Sequence, residues 1–301
     1  ENQKEQLLRK ICTTENAMRY LDFLMQLSPK ELTRVLIEGL PAKVNTLTDF
    51  LKDDFYALLP LYNFYFTRDP SVTIGNNLLI CNMANKVRAR ESIIINAIFS
   101  NPQFFDATII DSTQFVADDK TTISIEGGDV LVVRDDIILI GNGSRTNSQA
   151  IDQLIANLCR GKEGRKHIIV QQLPHSPESF IHLDMVFTML DRDTAMVYKP
   201  LILDNTPYKT IHLEIENGEV AKISTPNNLL EALKPLGMDI KPIVCGGNAD
   251  DWDQEREQWH SGANFLAIAP GKVMSYARNV QTLNELSNNG FDVIPAWDVI
   301  N

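Results

Sequence analysis

Asn76–Phe99 reads NNLLICNMANKVRARESIIINAIF, and this stretch decides the fold because an apolar strand, a turn containing an arginine and an amphipathic helix follow one another. The same order returns in DIILIGNGSRTNSQAIDQLIANL, Asp136–Leu158, and in KVMSYARNVQTLNELSNNG, Lys272–Gly290. An arginine precedes the helical segment in each stretch: Arg88, Arg145 and Arg278. Three copies of one pattern predict an α/β fold built from degenerate ββαβ-like units. Repeats of this size can be arranged around an axis, which brings side chains from several copies to one centre.

The chain divides into two regions of different character. Residues 1–57 repeat apolar positions at helical spacing and carry a capping signature at Ser28–Glu31, so a helical domain is expected there. From residue 58 to residue 301, strand-like runs separated by Gly, Asn and Asp predominate. A fourth block, from Phe180 through Pro200 to a helix near 227–236, keeps the strands and places its helix later.

Charge and composition exclude several classes of protein. Lys and Arg number 28 against 39 Asp and Glu, a net charge of −11, which argues against nucleic acid as a partner. No run reaches the roughly 18 apolar residues that a membrane span needs, and no signal peptide opens the chain. We therefore expect no membrane partner and a soluble, cytoplasmic protein. The four cysteines form no CxxC pair, which favours reduced thiols over a disulfide framework or a zinc cluster.

The segment FIHLDMVFTMLDRD, Phe180–Asp193, is the most informative for chemistry. Its alternation predicts a strand on which His182 and Asp184 project from the same side. A histidine and a carboxylate in an apolar strand are costly to bury unless they are paired or used. The pair suits an acid/base group beside a cation-binding carboxylate, although a histidine that simply hydrogen-bonds its neighbour would look the same.

Two more segments place acidic side chains near strands. In ISIEGGDVLVV, Ile123–Val133, the glycine pair predicts a bulge or the close approach of another group to the backbone, flanked by Glu126 and Asp129. In NFYFTRDP, Asn63–Pro70, Asp69 is expected to end a strand before the proline turns the chain.

Carboxylates of this kind suit a metal or an organic cation. With one histidine in the group and no HxH, HExxH or DxDxDG spacing, we expect no metal. Phosphate binding is also disfavoured because the sequence has neither a P-loop nor a GxGxxG after a strand. A planar guanidinium fits better, since carboxylates bind it with bidentate hydrogen bonds while arginines hold a substrate carboxylate.

Six segments in order, from about Leu58 to Asp292, resemble the successive motifs of the arginine deiminases. They are NFYFTRDP, ARESI, IEGGDVLVV, GNGSRTN, IHLDMVFTMLDRD and EREQWHSGANFLAIAPGKVMSYARN. That family belongs to the guanidino-group-modifying superfamily. The resemblance implies a propeller of ββαβ modules around a pseudo-fivefold axis, incomplete in this chain, with the first 57 residues as a helical insert.

The resemblance also implies the reaction and the residues that carry it. The reaction is hydrolysis of L-arginine to L-citrulline and ammonia without a metal or organic cofactor. The implied catalytic residues are His182, as general acid and then general base, and the guanidinium-binding carboxylates Asp69, Glu126 and Asp184. The implied substrate-binding residues are Asn63, Phe66, Arg88, Asp129 and Arg145.

One part of the family pattern has no counterpart. In arginine deiminases the nucleophile is a cysteine near the C-terminus, which forms a covalent amidino intermediate. None of the four cysteines here lies in such a segment, and Cys245, before Gly246 and Gly247, is the least implausible substitute. We expect an internal fragment that lacks one module and the nucleophile, that is inactive alone, and that associates through an exposed strand edge, as in a homo-oligomer.

Two alternatives stay open at this point. The first keeps the superfamily and changes the chemistry, to an agmatine or dimethylarginine hydrolase or an amidinotransferase. The paired arginines Arg88 and Arg145 suit a substrate carboxylate and count against agmatine. The second alternative is a non-catalytic protein that binds arginine.

Overall fold

The structure is a computed structural model that describes residues 2–51, 55–116, 122–160 and 164–300. Helices and strands alternate along most of the chain, which confirms the predicted α/β class. The chain forms two compact units, Glu1–Gly127 and Gly128–Asn301. Among the described residues, no helix combines the length and the apolar character required for a membrane crossing.

Helices dominate the beginning of the first unit. Its helices are α1 Asn2–Thr14, α2 Leu21–Gln26, α3 Pro29–Glu38, α4 Leu47–Phe50 and α5 Ala89–Phe99. Its strands are β1 Leu40–Pro41, β2 Tyr56–Leu58, β3 Ser71–Ile74, β4 Asn77–Ile80 and β5 Thr108–Asp111. The predicted capping signature is confirmed, because Ser28 and Glu31 form a reciprocal capping box at the start of α3.

The helices share an apolar core with the strand region of the same unit. Leu8 and Leu24 of the helices are buried in one cluster with Leu58 and with Ile93 of α5. The boundary expected between residues 57 and 58 therefore falls within the core of one compact unit, and it stays a prediction.

The first unit contains one complete ββαβ unit. Strands β3 and β4 pair antiparallel, and β4 pairs parallel with β5 after the crossover through α5. A crossover helix is what a parallel pair requires, since its two strands run in the same direction.

The second unit is built mostly from strands and short helices. Its strands are β6 Val130–Arg134, β7 Ile137–Asn142, β8 Arg165–Gln172, β9 Phe187–Met189, β10 Thr194–Val197, β11 Thr210–Glu216, β12 Glu219–Ser224, β13 Lys241–Val244, β14 Leu266–Ala269 and β15 Lys272–Met274. Its helices are α6 Ser148–Cys159, α7 Lys199–Ile202, α8 Leu229–Leu233, α9 Asp251–Trp259, α10 Val280–Asn288 and α11 Ala296–Ile300.

Two further ββαβ units occur in the second compact unit. Strands β6 and β7 pair antiparallel, and β7 pairs parallel with β8 across α6. Strands β9 and β10 pair antiparallel, and β10 pairs parallel with β13 after a long connection. Part of that connection, the β11–β12 hairpin, adds to the sheet of the preceding unit in the order β12-β11-β8-β7-β6. The repeat prediction is confirmed for these units, and β14, β15 and α10 follow the strand, arginine and helix order.

The strand predicted across Phe180–Asp193 is wrong for most of its length. A 3-10 turn covers Leu183–Met185, and only Phe187–Met189 is a strand. The physical reason is that the backbone forms other hydrogen bonds. The Met185 N–H donates to the His182 carbonyl at 3.2 Å, and the Leu183 N–H donates to the side chain of Asp129 at 2.8 Å. Strict side-chain alternation therefore does not apply to His182 and Asp184.

Two smaller predictions also need correction. The glycine pair lies in a 3-10 turn, Gly127–Asp129, before β6, and is not a bulge inside a strand. The close approach expected there is confirmed, since a Cβ at Gly127 would collide with the Arg68 carbonyl. Asp69 lies before β3 and does not end a strand. Its N–H donates to the Phe66 carbonyl at 3.2 Å, which forms a turn there.

Candidate functional site

Arg88 is the centre of a buried charge cluster in the first unit. It closes a 3-10 turn directly before α5, and its guanidinium is enclosed by two carboxylates. Nε and Nη2 donate to the two oxygens of Glu91 at 3.0 and 2.8 Å, and Nη1 donates to Oδ2 of Asp69 at 2.6 Å. A two-pronged contact of this kind fixes the guanidinium plane.

The two carboxylates of this cluster keep the Arg88 guanidinium charged. Burial alone would lower the pKa of Arg88, but the hydrogen bonds that Arg88 donates to Glu91 and Asp69 outweigh it and raise that pKa above its ordinary value. Arg88 therefore stays a cation, and it orients the carboxylate of Asp69.

Asn63 and Phe66 lie in the turns that lead to Asp69. The Asn63 carbonyl accepts from Nη2 of Arg88 at 3.3 Å and from the Phe66 N–H at 3.0 Å. The Phe66 ring is half exposed and lies 4.2 Å from the ring of Tyr65, measured between centroids. An accessible aromatic pair at this turn can pack on an organic ligand.

Glu126 is fully buried and belongs to the same part of the first unit as Asp69. Its carboxylate accepts the backbone N–H of Ala84 at 2.9 Å. The Gly127 N–H donates to the Asp69 carbonyl at 2.8 Å, which fixes the loop that carries Glu126 beside the loop that carries Asp69. Two carboxylates, Asp69 and Glu126, are thus brought together as the sequence predicts.

Asp129 is the corresponding buried carboxylate of the second unit. Its side chain is 0% exposed, and it has two neutral donors. Oδ1 accepts the Leu183 N–H at 2.8 Å, and Oδ2 accepts the Thr146 hydroxyl at 2.6 Å. Gly141 leaves the room that this carboxylate needs, because a Cβ there would collide with Oδ1.

Asp129 is close to half-ionised at neutral pH. Burial raises its pKa to about 7, against opposing contributions from His182, Thr146 and Leu183, and the charge of Asp184 raises it further. A perturbed carboxylic acid of this kind is a feature of functional sites as well as of buried networks.

His182 and Asp184 flank Leu183, the residue whose N–H binds Asp129. Both side chains are buried, and the Thr188 hydroxyl lies 3.4 Å from the Asp184 carbonyl. Gly128 packs directly on the imidazole, because a Cβ there would lie 2.5 Å from Nδ1 of His182. The pair is thus brought together on a turn that Asp129 holds, not on the predicted strand.

Arg145 lies at the turn between β7 and α6, as the repeat pattern predicts. It is half-buried, and Asn147 caps the helix by accepting the Ala150 N–H at 3.0 Å. Its neighbour Thr146 is the residue that binds Asp129.

The four cysteines are all buried. Burial is the main reason why the pKa of the Cys245 thiol rises to about 12, and the charge of Glu257 adds to it although Thr282 donates to the sulfur at 3.6 Å. Burial likewise raises the pKa of Cys12. Since the thiolate is the reactive species, Cys245 and Cys12 are poorly suited as nucleophiles.

Three residues that the sequence did not single out complete these clusters: Glu91, Gly141 and Thr146. Glu91 carries a recognisable signal, because an acidic residue three positions after Arg88 in a helix can pair with it. The contact of Thr146 with Asp129 joins residues 17 positions apart and has no local signal.

The fold and these clusters define an α/β protein of ββαβ units whose buried carboxylates suit a cationic ligand. Residues 8–296 match the family model described as "Arginine deiminase". The chain belongs to the arginine deiminase family, as the resemblance of its motifs indicated.

Individual relatives agree with the family match. The chain is 32% identical to arginine deiminase from Staphylococcus haemolyticus over 90% of its own length and 67% of that protein. It is 37% identical to arginine deiminase from Oenococcus oeni, over 81% of its own length and 58% of that protein. The chain thus spans 67% and 58% of the lengths of these two relatives. The family match does not support the expectation of an internal fragment.

Two solved structures show a weaker likeness to the chain. DDAH from Pseudomonas aeruginosa, as a mutant complexed with citrulline, has a TM-score of 0.48 and 17% identity over 87% of each chain. An AgrE mutant with L-arginine has a TM-score of 0.46 and 17% identity, over 77% of this chain and 28% of that one.

Proposed function

We propose that this chain carries the substrate-binding and proton-transfer groups for hydrolysis of L-arginine to L-citrulline and ammonia. The observation that carries the proposal is the turn at Leu183, which Asp129 holds and which places His182 and Asp184 on either side of Leu183. Membership of the arginine deiminase family supports the substrate.

The carboxylates bind the guanidinium of the substrate. Asp69, Glu126 and Asp184 offer oxygens that accept N–H donors, and a guanidinium carries five of them. Such hydrogen bonds localise the delocalised charge of the guanidinium and so make its central carbon more open to attack.

His182 transfers the protons. The departing ammonia needs a proton, and the water that completes hydrolysis must lose one, which are the two roles of a single imidazole near neutral pH. Gly128 keeps the ring in place, because any larger residue would push it away.

The two arginines take different roles. Arg145 is proposed to bind the α-carboxylate of the substrate, with Asn63 and Phe66 contacting the amino-acid part. Arg88, whose donors are directed at Glu91, Asp69 and Asn63, acts as a positioning residue for Asp69. Asp129 positions the turn of His182.

We infer further that the chain alone does not turn over arginine, because all four cysteines are buried and the pKa values of Cys245 and Cys12 are raised, which leaves little thiolate for attack. The three ββαβ units support the propeller with a pseudo-fivefold axis as the finer fold proposal. We also propose that the protein forms a homo-oligomer and is located in the cytoplasm.

Calorimetric titration of the chain with L-arginine tests the binding proposal. We expect saturable binding that Glu126→Gln removes, while Asp239→Asn, at a carboxylate that is 82% exposed, leaves it unchanged. Agmatine should bind more weakly because it lacks the carboxylate for Arg145. Equal binding by the Glu126→Gln variant would contradict the assignment.

A citrulline assay on the same preparation separates the remaining readings. Binding without citrulline formation supports the proposal, but a non-catalytic arginine-binding protein would give the same result. Turnover by a full-length family member in which the histidine corresponding to His182 is replaced by alanine distinguishes the two. Citrulline formation by the chain itself would overturn the proposed inactivity.

A further inference from the structure

The last of the six sequence motifs, Glu255–Asn279, contributes no residue to the proposed site. It begins inside helix α9, and Gln258 lies in the last turn of that helix. The Gln258 side chain is uncharged, polar and only 1% exposed. Burial of a carboxamide is costly unless its hydrogen-bonding groups find partners, so the partners of Gln258 indicate its role.

The carboxamide of Gln258 binds both ends of the turn that carries His182 and Asp184. Its Nε2 donates to the Ser179 carbonyl at 2.7 Å and to the Met185 carbonyl at 3.3 Å. A carboxamide nitrogen has two N–H groups, one for each of these acceptors. Ser179 lies three positions before His182 and Met185 lies three positions after it, so one side chain spans the turn.

The backbone of this turn has little regular structure of its own. Two 3-10 turns, Glu178–Phe180 and Leu183–Met185, lie on either side of His182, and hydrogen bonds in such turns have poor geometry. The turn therefore depends on side chains that bind its free backbone groups. Asp129 binds one donor of the turn, the Leu183 N–H, whereas Gln258 binds two of its acceptors.

Helix α9 is fixed in place by the neighbour of Gln258. The carboxylate of Glu257 is fully buried and accepts the N–H groups of Gln281 and Thr282, at the start of α10, at 2.9 and 2.7 Å. The chain then turns tightly after α9, because a Cβ at Gly262 would lie 2.7 Å from the Glu257 carbonyl oxygen. The Gln258 side chain thus projects from a helix end that is held on its own account.

Two further contacts join the segment after α9 to the segment that carries His182. The Thr188 hydroxyl donates to the Ala263 carbonyl at 2.7 Å, and Nδ2 of Asn264 lies 3.7 Å from the Met185 sulfur. Both contacts are made after His182 in the sequence. Gln258 differs from them because it binds a carbonyl before His182 as well as one after it.

We propose that Gln258 is a positioning residue for the site, whose carboxamide holds the turn so that the His182 imidazole and the Asp184 carboxylate are oriented for the substrate. This inference rests on the proposed function of His182 and Asp184. Asp129 holds the same turn but changes its charge near neutral pH, since its pKa is about 7. The carboxamide of Gln258 does not titrate, so it holds the turn on both sides of that pH.

Gln258→Met tests the inference, because methionine has a similar length and no N–H donor in its side chain. In the folded variant, the ring-proton NMR resonances of His182 should shift even without ligand. The affinity for L-arginine, measured by calorimetry, should fall by roughly 2–30-fold.

Gln254→Met is the matched control. Gln254 lies one turn earlier in α9 and is 2% exposed, and its side-chain oxygen has no hydrogen-bond partner in the described part of the chain. This variant should leave the His182 resonances and the affinity for L-arginine as they are in the parent.

The two readouts separate this inference from the proposed function. Unshifted His182 resonances in folded Gln258→Met, or equal shifts in Gln254→Met, would overturn the inference whatever the result with L-arginine. Unchanged affinity in Gln258→Met, beside a parent that binds, would overturn it as well. A parent that does not bind L-arginine would instead contradict the proposed function, while shifted His182 resonances would still show that Gln258 holds the turn.

A measurement on the unaltered chain covers the case in which Gln258→Met does not fold. The side-chain N–H groups of Gln258 should exchange with solvent roughly tenfold or more slowly than those of Gln6, which is exposed. Addition of L-arginine should shift the Gln258 side-chain resonances together with the ring resonances of His182, and it should leave those of Gln6 in place. Exchange as fast as that of Gln6 would contradict the two hydrogen bonds and the role built on them.

Discussion

Glu91 in the first unit and Asp129 in the second are carboxylates with almost no exposure, but their partners differ in kind. Glu91 faces the guanidinium of Arg88 through two hydrogen bonds. Asp129 faces an amide N–H and a hydroxyl, both neutral. The first arrangement compensates the charge, whereas the second stabilises it only partly, and burial raises the pKa of Asp129 to about 7.

This difference between charged and neutral partners shows that one chain can use buried carboxylates for two purposes. The Arg88 cluster pairs its buried charges and holds Asp69 in place. Asp129 can gain or lose a proton near neutral pH, directly beneath the turn that carries His182. Its ionisation therefore alters both the stability of the second unit and the field at the imidazole.

The largest expected effect comes from Arg88→Met. The variant leaves Glu91 and Asp69 without their cation, and we expect the free energy of unfolding to fall by about 3–5 kcal/mol. Denaturant titration measures the loss. Arg34→Met is the matched control, because Arg34 is 74% exposed in its pair with Glu38 and its replacement should leave stability nearly unchanged. Similar losses in the two variants would show that Arg88 compensates no buried charge.

Asp129→Asn should produce the next largest effect, and it depends on pH. A raised pKa in the folded state means that this group contributes stability fully below its unfolded pKa, near 4, and loses it as pH rises through about 7. The parent chain should therefore lose roughly 2–4 kcal/mol from this group between pH 4 and pH 7. The asparagine variant should lack that slope because an amide does not titrate. It should still fold, since the amide can accept from Leu183 and donate to Thr146.

Thermal unfolding at several pH values, followed by circular dichroism, measures this slope. Asp239→Asn, at an exposed carboxylate, controls for the general change of charge. An identical slope in the parent and in Asp129→Asn would mean that Asp129 is not the titrating group.

Thr146→Val should have the smallest effect of the three. It removes the hydroxyl donor of Oδ2 while keeping the shape of the side chain, at a cost of about 1–3 kcal/mol above pH 7, where Asp129 is ionised. The pKa of Asp129 should rise further, which moves the pH-dependent loss of stability to higher pH. Thr146→Ser restores the hydroxyl and should recover most of the difference, and an equal loss in both variants would argue against the hydrogen bond.

Local patterns in the sequence were sufficient to predict most of the fold. Apolar runs, turns and helical periodicity place β4 with α5, and β7 with α6, because each element is specified by residues close in sequence. The turn at His182 could not be predicted in this way. Its backbone is fixed by Asp129, which lies 54 positions from Leu183, and the letters alternate as they do in a strand.

The candidate site shows the same division. The acidic residues and the histidine could be chosen from the sequence, since each is costly to bury without a use. The pairing of hydrogen-bond donors with acceptors could not be predicted, because the partners of Asp69 and Asp129 come from distant segments. Arg88 illustrates this, since its guanidinium donates to Glu91 and Asp69, while its contact with a substrate carboxylate stays a prediction.

The β11–β12 hairpin has a consequence for synthesis of the chain. It completes the sheet of the preceding ββαβ unit, so β8 keeps an unpaired edge until β11, which ends at Glu216, has left the ribosome. Exposed edges of apolar strands attract other chains. Shielding of β8 during translation, or slower elongation before this hairpin, would therefore limit misassembly. For the same reason, the ββαβ units of the second compact unit cannot be exchanged one at a time between relatives.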